Sequence, residues 1–162
     1  MHIYLGSDHA GLNLKKEIKA YLYERYQGKE ESTVLDLGVF TNDATDYPDI
    51  AREVCEKVLE NEGAFGILIC GSGVGMSISA NRMLGIRAVL ANNELTVKMA
   101  RSHNNVNVLC MGERYTGVDL AKSIVDTFIA SPFDAEERHL RRIGKIDSVM
   151  KSDKNIKDEG RC

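Results

Sequence analysis

The chain of 162 residues has no Cys-x-x-Cys pair among its four cysteines, Cys55, Cys70, Cys110 and Cys162. Their spacing argues against a structural zinc site or a redox dithiol and leaves reduced thiols as the default. Basic residues are not in excess, since 21 Lys and Arg face 24 Asp and Glu for a net charge of -3. Nucleic-acid binding normally needs a basic face, so that class of partner is set aside, and any basic site must be local. No apolar run is long enough to span a bilayer, and the first residues enter a strand pattern without the charged and apolar regions of a signal peptide. A cytoplasmic protein without a membrane partner is the expectation. Internal repeats and low-complexity stretches are also missing, so one domain accounts for the length.

What is present centres on residues 67–82. An apolar, β-branched run ends at Cys70, and Gly71, Gly73 and Gly75 then alternate before a segment with the small and apolar residues of a buried helix. This reads as strand, phosphate-sized loop and helix. Such a turn points backbone N–H groups and the positive end of a helix at one spot, which suits an anion or a developing oxyanion. The third glycine comes one residue too early for the dinucleotide fingerprint, and no Gly-Lys-Ser/Thr follows as in a P-loop. Tight-turn geometry alone is the plain alternative.

Around this stretch, strands are expected at 2–6, 33–38, 65–70, 85–91 and 106–111. Helices are expected at about 12–26, 46–61, 93–102, 117–130 and 134–150. In the first helix Leu14, Ile18, Tyr21, Leu22 and Arg25 recur at helical spacing, with the lysines mostly on the other side. Pro48 suits a first helical turn. Strands alternating with helices imply an α/β fold, a five-stranded parallel sheet covered on both sides in a three-layer α/β/α sandwich. Ligands of such sheets bind at the carboxyl ends of the strands. The exit loops there carry Asp8 and His9, residues 43–46, the glycine loop, and residues 112–114. After about Met150 the sequence turns too polar to pack and is expected to be a mobile tail.

Each candidate group has two readings. Cys70 is either a small core residue at a strand end or a thiol activated by the helix N-terminus just downstream. Cys110 and Cys55 lack such a loop and read as structural. His9 follows an acid in an exit loop and reads as solvent-accessible, whereas His103 is by position only a helix-terminal residue favoured by the dipole. Arg138, His139, Arg141 and Arg142 form a basic cluster, either a solvated face or, with Arg138 and Arg142 one turn apart, a phosphate grip.

Several motifs then follow in order over about residues 2–147. They are Ser7-Asp8-His9-Ala10-Gly11, Asp46-Tyr47-Pro48-Asp49, Cys70-Gly71-Ser72-Gly73-Val74-Gly75-Met76-Ser77-Ile78, Ala80-Asn81-Arg82 and Gly85-Ile86-Arg87-Ala88. After these come Ala100-Arg101-Ser102-His103-Asn104, Asn107-Val108-Leu109, and Arg138-His139-Leu140-Arg141-Arg142 with Lys145-Ile146. Together they resemble the B-type ribose-5-phosphate isomerase family, which includes galactose-6-phosphate and allose-6-phosphate isomerases.

The resemblance implies a Rossmann-like isomerase domain over residues 1–150, with 151–162 as the tail. It implies aldose–ketose isomerisation of a phosphorylated sugar through an enediolate, without metal or cofactor. Ribose 5-phosphate and ribulose 5-phosphate, of the non-oxidative pentose phosphate branch, are the expected pair, with allose or galactose 6-phosphate as the alternative. Cys70 matches the family's base, His103 the ring-opening proton donor, and Ser72 a hydroxyl that assists at the substrate oxygens. Asp8, Gly71, Gly73, Val74, Gly75, Asn104 and Arg114 match substrate contacts, and His9, Arg138 and Arg142 match the phosphate grip. A homodimer with shared sites is implied, with His103, Asn104 and Arg114 reaching in from the neighbouring chain and a tetramer as a further option. One branch of the family uses a glutamate base at the position of Met76; methionine cannot take a proton, so the cysteine branch applies. Val106 stands where alanine is frequent.

Overall fold

The computed structural model describes residues 1–26 and 32–158. Five strands, β1 (His2–Ser7), β2 (Thr33–Asp36), β3 (Phe65–Cys70), β4 (Ala88–Leu90) and β5 (Val108–Gly112), form one sheet in the order β2-β1-β3-β5-β4. All four pairings are parallel. The helices are α1 (Leu12–Tyr26), α2 (Tyr47–Glu60), α3 (Val74–Ala80), α4 (Glu94–Asn104), α5 (Val118–Ala130) and α6 (Glu137–Asp158).

Alternate strand residues feed two cores, as a sheet covered on both faces requires. Ile3, Leu5, Ile67, Ile69, Leu109 and Met111 pack with α1, α4 and α5. Tyr4, Leu68, Cys70, Val108 and Cys110 pack with α2 and α3. The α/β/α sandwich expected from the sequence is the observed fold, and Cys70 belongs to the α2/α3 side.

Several boundaries differ, each for a local reason. Strand β4 starts at Ala88 rather than residue 85, because the Asn107 side chain takes the backbone before it: Nδ2 donates to Gly85 O at 2.9 Å and Oδ1 accepts from Arg87 N at 2.9 Å. Helix α4 runs to Asn104, two residues further than expected, and stops where Asn105 enters the left-handed region at φ 46°. Helix α3 is only seven residues long and is not wholly buried; Met76 and Ala80 face the core, while Val74 and Ile78 are exposed. The polar segment after Met150 continues α6 to Asp158, since no Gly or Pro interrupts it until Gly160. Residues 159–162, with Cys162, lie outside the described residues.

Lys15 departs most from the expected pattern. It lies on the inner side of α1 with a side chain 1% exposed, and its Nζ donates to Asp36 Oδ1 at 2.6 Å and to Val39 O at 2.7 Å. Burial pushes the ammonium below its ordinary pKa, and the Asp36 carboxylate pulls it back up. The pair ties α1 to the end of β2, and Lys19 adds a second contact to Asp36 at 3.1 Å. Removing one member of a buried pair strands the other charge. Lys15→Met is therefore expected to lower the unfolding free energy by about 3 kcal/mol, measured by urea denaturation; a loss near zero would assign the pair no structural role.

Candidate active site

The carboxyl ends of β1, β3 and β5 lie side by side, with Ser7 paired to Ile69 and Cys70 level with Gly112. Their exit loops enclose a cavity of about 430 Å3 lined by Asp8, His9, Tyr47, Cys70, the glycine loop and Arg114, among others. Cys70 is 4% exposed at its rim, and Sγ accepts the N–H of Gly73 at 3.0 Å. Gly73 holds φ 71°, and a Cβ there would come within 2.7 Å of the Met111 backbone. Only glycine satisfies both demands, so the loop can fold back onto the thiol. Cys55 and Cys110 stay in the core as expected; burial pushes the Cys55 thiol up to about 12 and Cys110 well above its ordinary value.

Asp8 is nearly buried and caps the short turn that follows β1, with Oδ1 accepting from Ala10 N at 2.9 Å. Burial raises its pKa, opposed by the Ala10 N–H and by the charges of His9 and Arg114. His9 is exposed, and its Nδ1 accepts from Thr45 N at 3.2 Å, which joins the first exit loop to the approach to α2. Ser72 Oγ accepts from Val74 N at 3.4 Å.

Arg114 departs from the expectation. The resemblance assigned it to the neighbouring chain's site, yet its guanidinium lies in the cavity of its own chain, where a Cβ on Gly71 would come within 2.9 Å of Cζ. The cause is the turn after β5, whose Arg114 N–H donates to Gly71 O at 3.1 Å.

The remaining candidates stand at the other edge of the sheet. His103 and Asn104 close α4, which returns to the amino ends of the strands, where Asn107 O accepts from Gly66 N at 2.9 Å. Cys70 lies four residues along β3 from Gly66, about 13 Å at the usual strand rise. Arg138 and Arg142 are on α6, which begins beside α4, with Asp134 N donating to Ser102 O at 2.9 Å. There the His103 and His139 rings stack with centroids 4.5 Å apart. Arg138 is exposed and paired with Glu136 at 2.6 Å. One chain therefore brings together Cys70, Ser72, Asp8, His9, the glycine loop and Arg114, and separates them from His103, Asn104, Arg138 and Arg142.

Two further features carry no chemistry of this kind. A hollow of about 470 Å3 at the amino edge contains Arg101, but that guanidinium is committed to Val106 O at 2.6 Å and to Asn105 and Ser131. Asp134, Glu136 and His139 offer donor atoms within 4.8 Å of one another, yet Glu136 already holds Arg138 and both acids are exposed.

The family model described as ribose/galactose isomerase matches residues 3–146. The chain belongs to that family. It is similar to ribose-5-phosphate isomerase B of Escherichia coli, at 43% identity over 91% of this chain and 95% of the relative. Among solved structures it resembles ribose-5-phosphate isomerase B of Clostridium thermocellum, with a TM-score of 0.87 and 44% identity over 94% of this chain and 99% of that one. It also resembles the ribose 5-phosphate isomerase of Thermotoga maritima, with a TM-score of 0.84 and 46% identity over 91% and 97%. Among the described residues no helix is long and apolar enough to cross a membrane.

For this isomerase the cavity adds walls that motif reading did not single out. The Tyr47 ring lies on Gly75, where a Cβ would come within 2.6 Å of it, and Ile78 stands beside it. Tyr47 sits inside a matched motif, but its sequence neighbours are Asp46 and Pro48, and only the packing of α2 against α3 brings it to the loop. The burial of Asp8 has a measurable consequence. Carbon-13 NMR should place its carboxyl titration above 3.8. The folded state then holds that proton more tightly than the unfolded chain, so ionised Asp8 costs stability at neutral pH. That cost is relieved as pH falls through the folded value toward 3.8. A midpoint at or below 3.8 would contradict the burial argument.

Proposed function

We propose that the protein interconverts ribose 5-phosphate and ribulose 5-phosphate, with the Cys70 thiolate moving a proton between C1 and C2. The observation that carries this reading is the placement of Sγ at the rim of an anion-suited cavity, beside the glycine loop, with His9 and Arg114 in the same space. Abstracting a proton next to a carbonyl puts negative charge on oxygen. Amide N–H groups at the start of α3, which have no partners within the helix, can receive it at about 3 kcal/mol per well-placed donor. Ser72 Oγ assists at the substrate oxygens, and Asp8 contacts the sugar hydroxyls. A phosphate far from the reacting carbons supplies binding energy that orients them.

Ring opening by His103 needs a second chain. Within one chain His103 and Cys70 occupy opposite sheet edges, so His103, Asn104, Arg138 and Arg142 of one protomer are assigned to the Cys70 cavity of its partner. His9 and Arg114 come from the protomer that holds Cys70. Exposed apolar residues on the helices near both halves, Val74 and Ile78 on α3 with Leu95 and Met99 on α4, suit burial in a homodimer. We place the enzyme in the cytoplasm and in the non-oxidative pentose phosphate branch.

Cys70→Ala is expected to abolish turnover of ribose 5-phosphate in a coupled assay while calorimetry still detects binding; an active variant would remove Cys70 from the mechanism. Parallel rates on allose 6-phosphate and galactose 6-phosphate are expected to be lower than on ribose 5-phosphate, and a reversed order would transfer the assignment to the six-carbon sugar. Unfolding and refolding inactive Cys70→Ala and His103→Ala chains together should restore about a quarter of wild-type activity, because half the dimers are mixed and each mixed dimer has one intact site. No recovery would sink the shared site.

A further inference from the structure

The turn after β5 grips the glycine loop at three successive carbonyls. Glu113 N donates to Cys70 O at 3.0 Å, Arg114 N donates to Gly71 O at 3.1 Å, and the Tyr115 hydroxyl donates to Ser72 O. The third contact differs from the others because it comes from a side chain and ends on the peptide whose N–H serves the thiol. Ser72 C=O and Gly73 N–H belong to one trans peptide, so they point in opposite directions. Tyr115 Oη stands at one end of that peptide and Cys70 Sγ at the other, 3.0 Å from the Gly73 nitrogen.

We propose that Tyr115 is a positioning residue for Cys70, acting through the Ser72–Gly73 peptide. The inference rests on the reading of Cys70 as the base. Donation to a carbonyl polarises its amide and strengthens the N–H at the other end, so the hydroxyl both fixes the plane of this peptide and reinforces its hydrogen bond to sulfur. The Tyr115 ring is itself held in place by Gly112, on which it lies so closely that a Cβ there would come within 2.6 Å of Cζ. Burial and the nearby Cys70 raise the pKa of the phenol, which keeps it a donor across the neutral range. The other titratable groups near the sulfur are Asp8 and His9 after β1, Tyr47 on α2 and Arg114 after β5, which line the same cavity, and Cys110 on β5, which feels the charge of Cys70.

The test is Tyr115→Phe, which keeps the ring on Gly112, read by kinetics on ribose 5-phosphate and by the pH dependence of Cys70 alkylation with iodoacetamide, followed by peptide mass spectrometry. The expected result is a fall in kcat of about fivefold with KM held within about twofold. The alkylation curve should move up by about half a pH unit as the thiolate loses support. Tyr115→Leu, which also removes the ring, should displace the curve at least as far. An unchanged kcat with an unchanged curve overturns the proposal, and so does a change confined to KM, which would make Tyr115 a binding residue. If the wild-type protein isomerises no sugar phosphate, the functional reading fails, while a displaced curve would still support the link from Tyr115 to Cys70.

Discussion

The parallel register of β3 against β5, with Cys70 level with Gly112, sets how the glycine loop beside the thiol is held. It places the turn after β5 directly beside the glycine loop, so that loop carbonyls point into the turn and are satisfied there. A loop left to water would have no reason to hold one set of peptide planes. Gly112 must be glycine for the two segments to meet, since a Cβ there would come within 2.7 Å of the Ser72 carbonyl carbon. The same contact puts Arg114 under Gly71 and Tyr115 against Ser72. The bracing of the glycine loop is thus a property of two strands.

A parallel sheet also explains why the candidate residues divide. Each helix that follows a strand carries its last residues back to the amino edge, so residues at a strand end and residues at a helix end are separated by the height of the sheet. Cys70, Asp8 and Arg114 are of the first kind, and His103 and Asn104 of the second. Helix α6 then docks on the amino-edge side, stacking His139 on His103 and pairing Arg87 with Asp147 at 3.5 Å. The proposed sharing of the active centre between two copies follows from this division, because facing copies can bring both kinds of residue to one cavity.

The core shows the same separation of local and long-range causes. Hydrophobic spacing places Leu14, Ile18 and Leu22 correctly on the inner face of α1. It fails for Lys15, whose charge argued for the outside, because Asp36 and the Val39 carbonyl approach from a different strand and its following loop and supply partners no local pattern contains. The strand at 85–91 shortens for a related reason: Asn107, some twenty residues away, occupies the backbone that would have begun it.

By itself the sequence determined the alternation of strands and helices, the parallel three-layer architecture, the family, and the loop that carries Cys70. These rest on short-range signals: apolar periodicity, glycines at a strand end, and ordered motifs. The tertiary structure alone decided that Arg114 lines its own chain's cavity, that Tyr47 walls the cavity and Tyr115 braces the glycine loop, and that His103 and the arginines of α6 stand at the opposite edge from Cys70. The reason is physical: those facts depend on which strand ends lie side by side and which helix ends return to the far edge, and distance along a chain does not encode distance across a sheet.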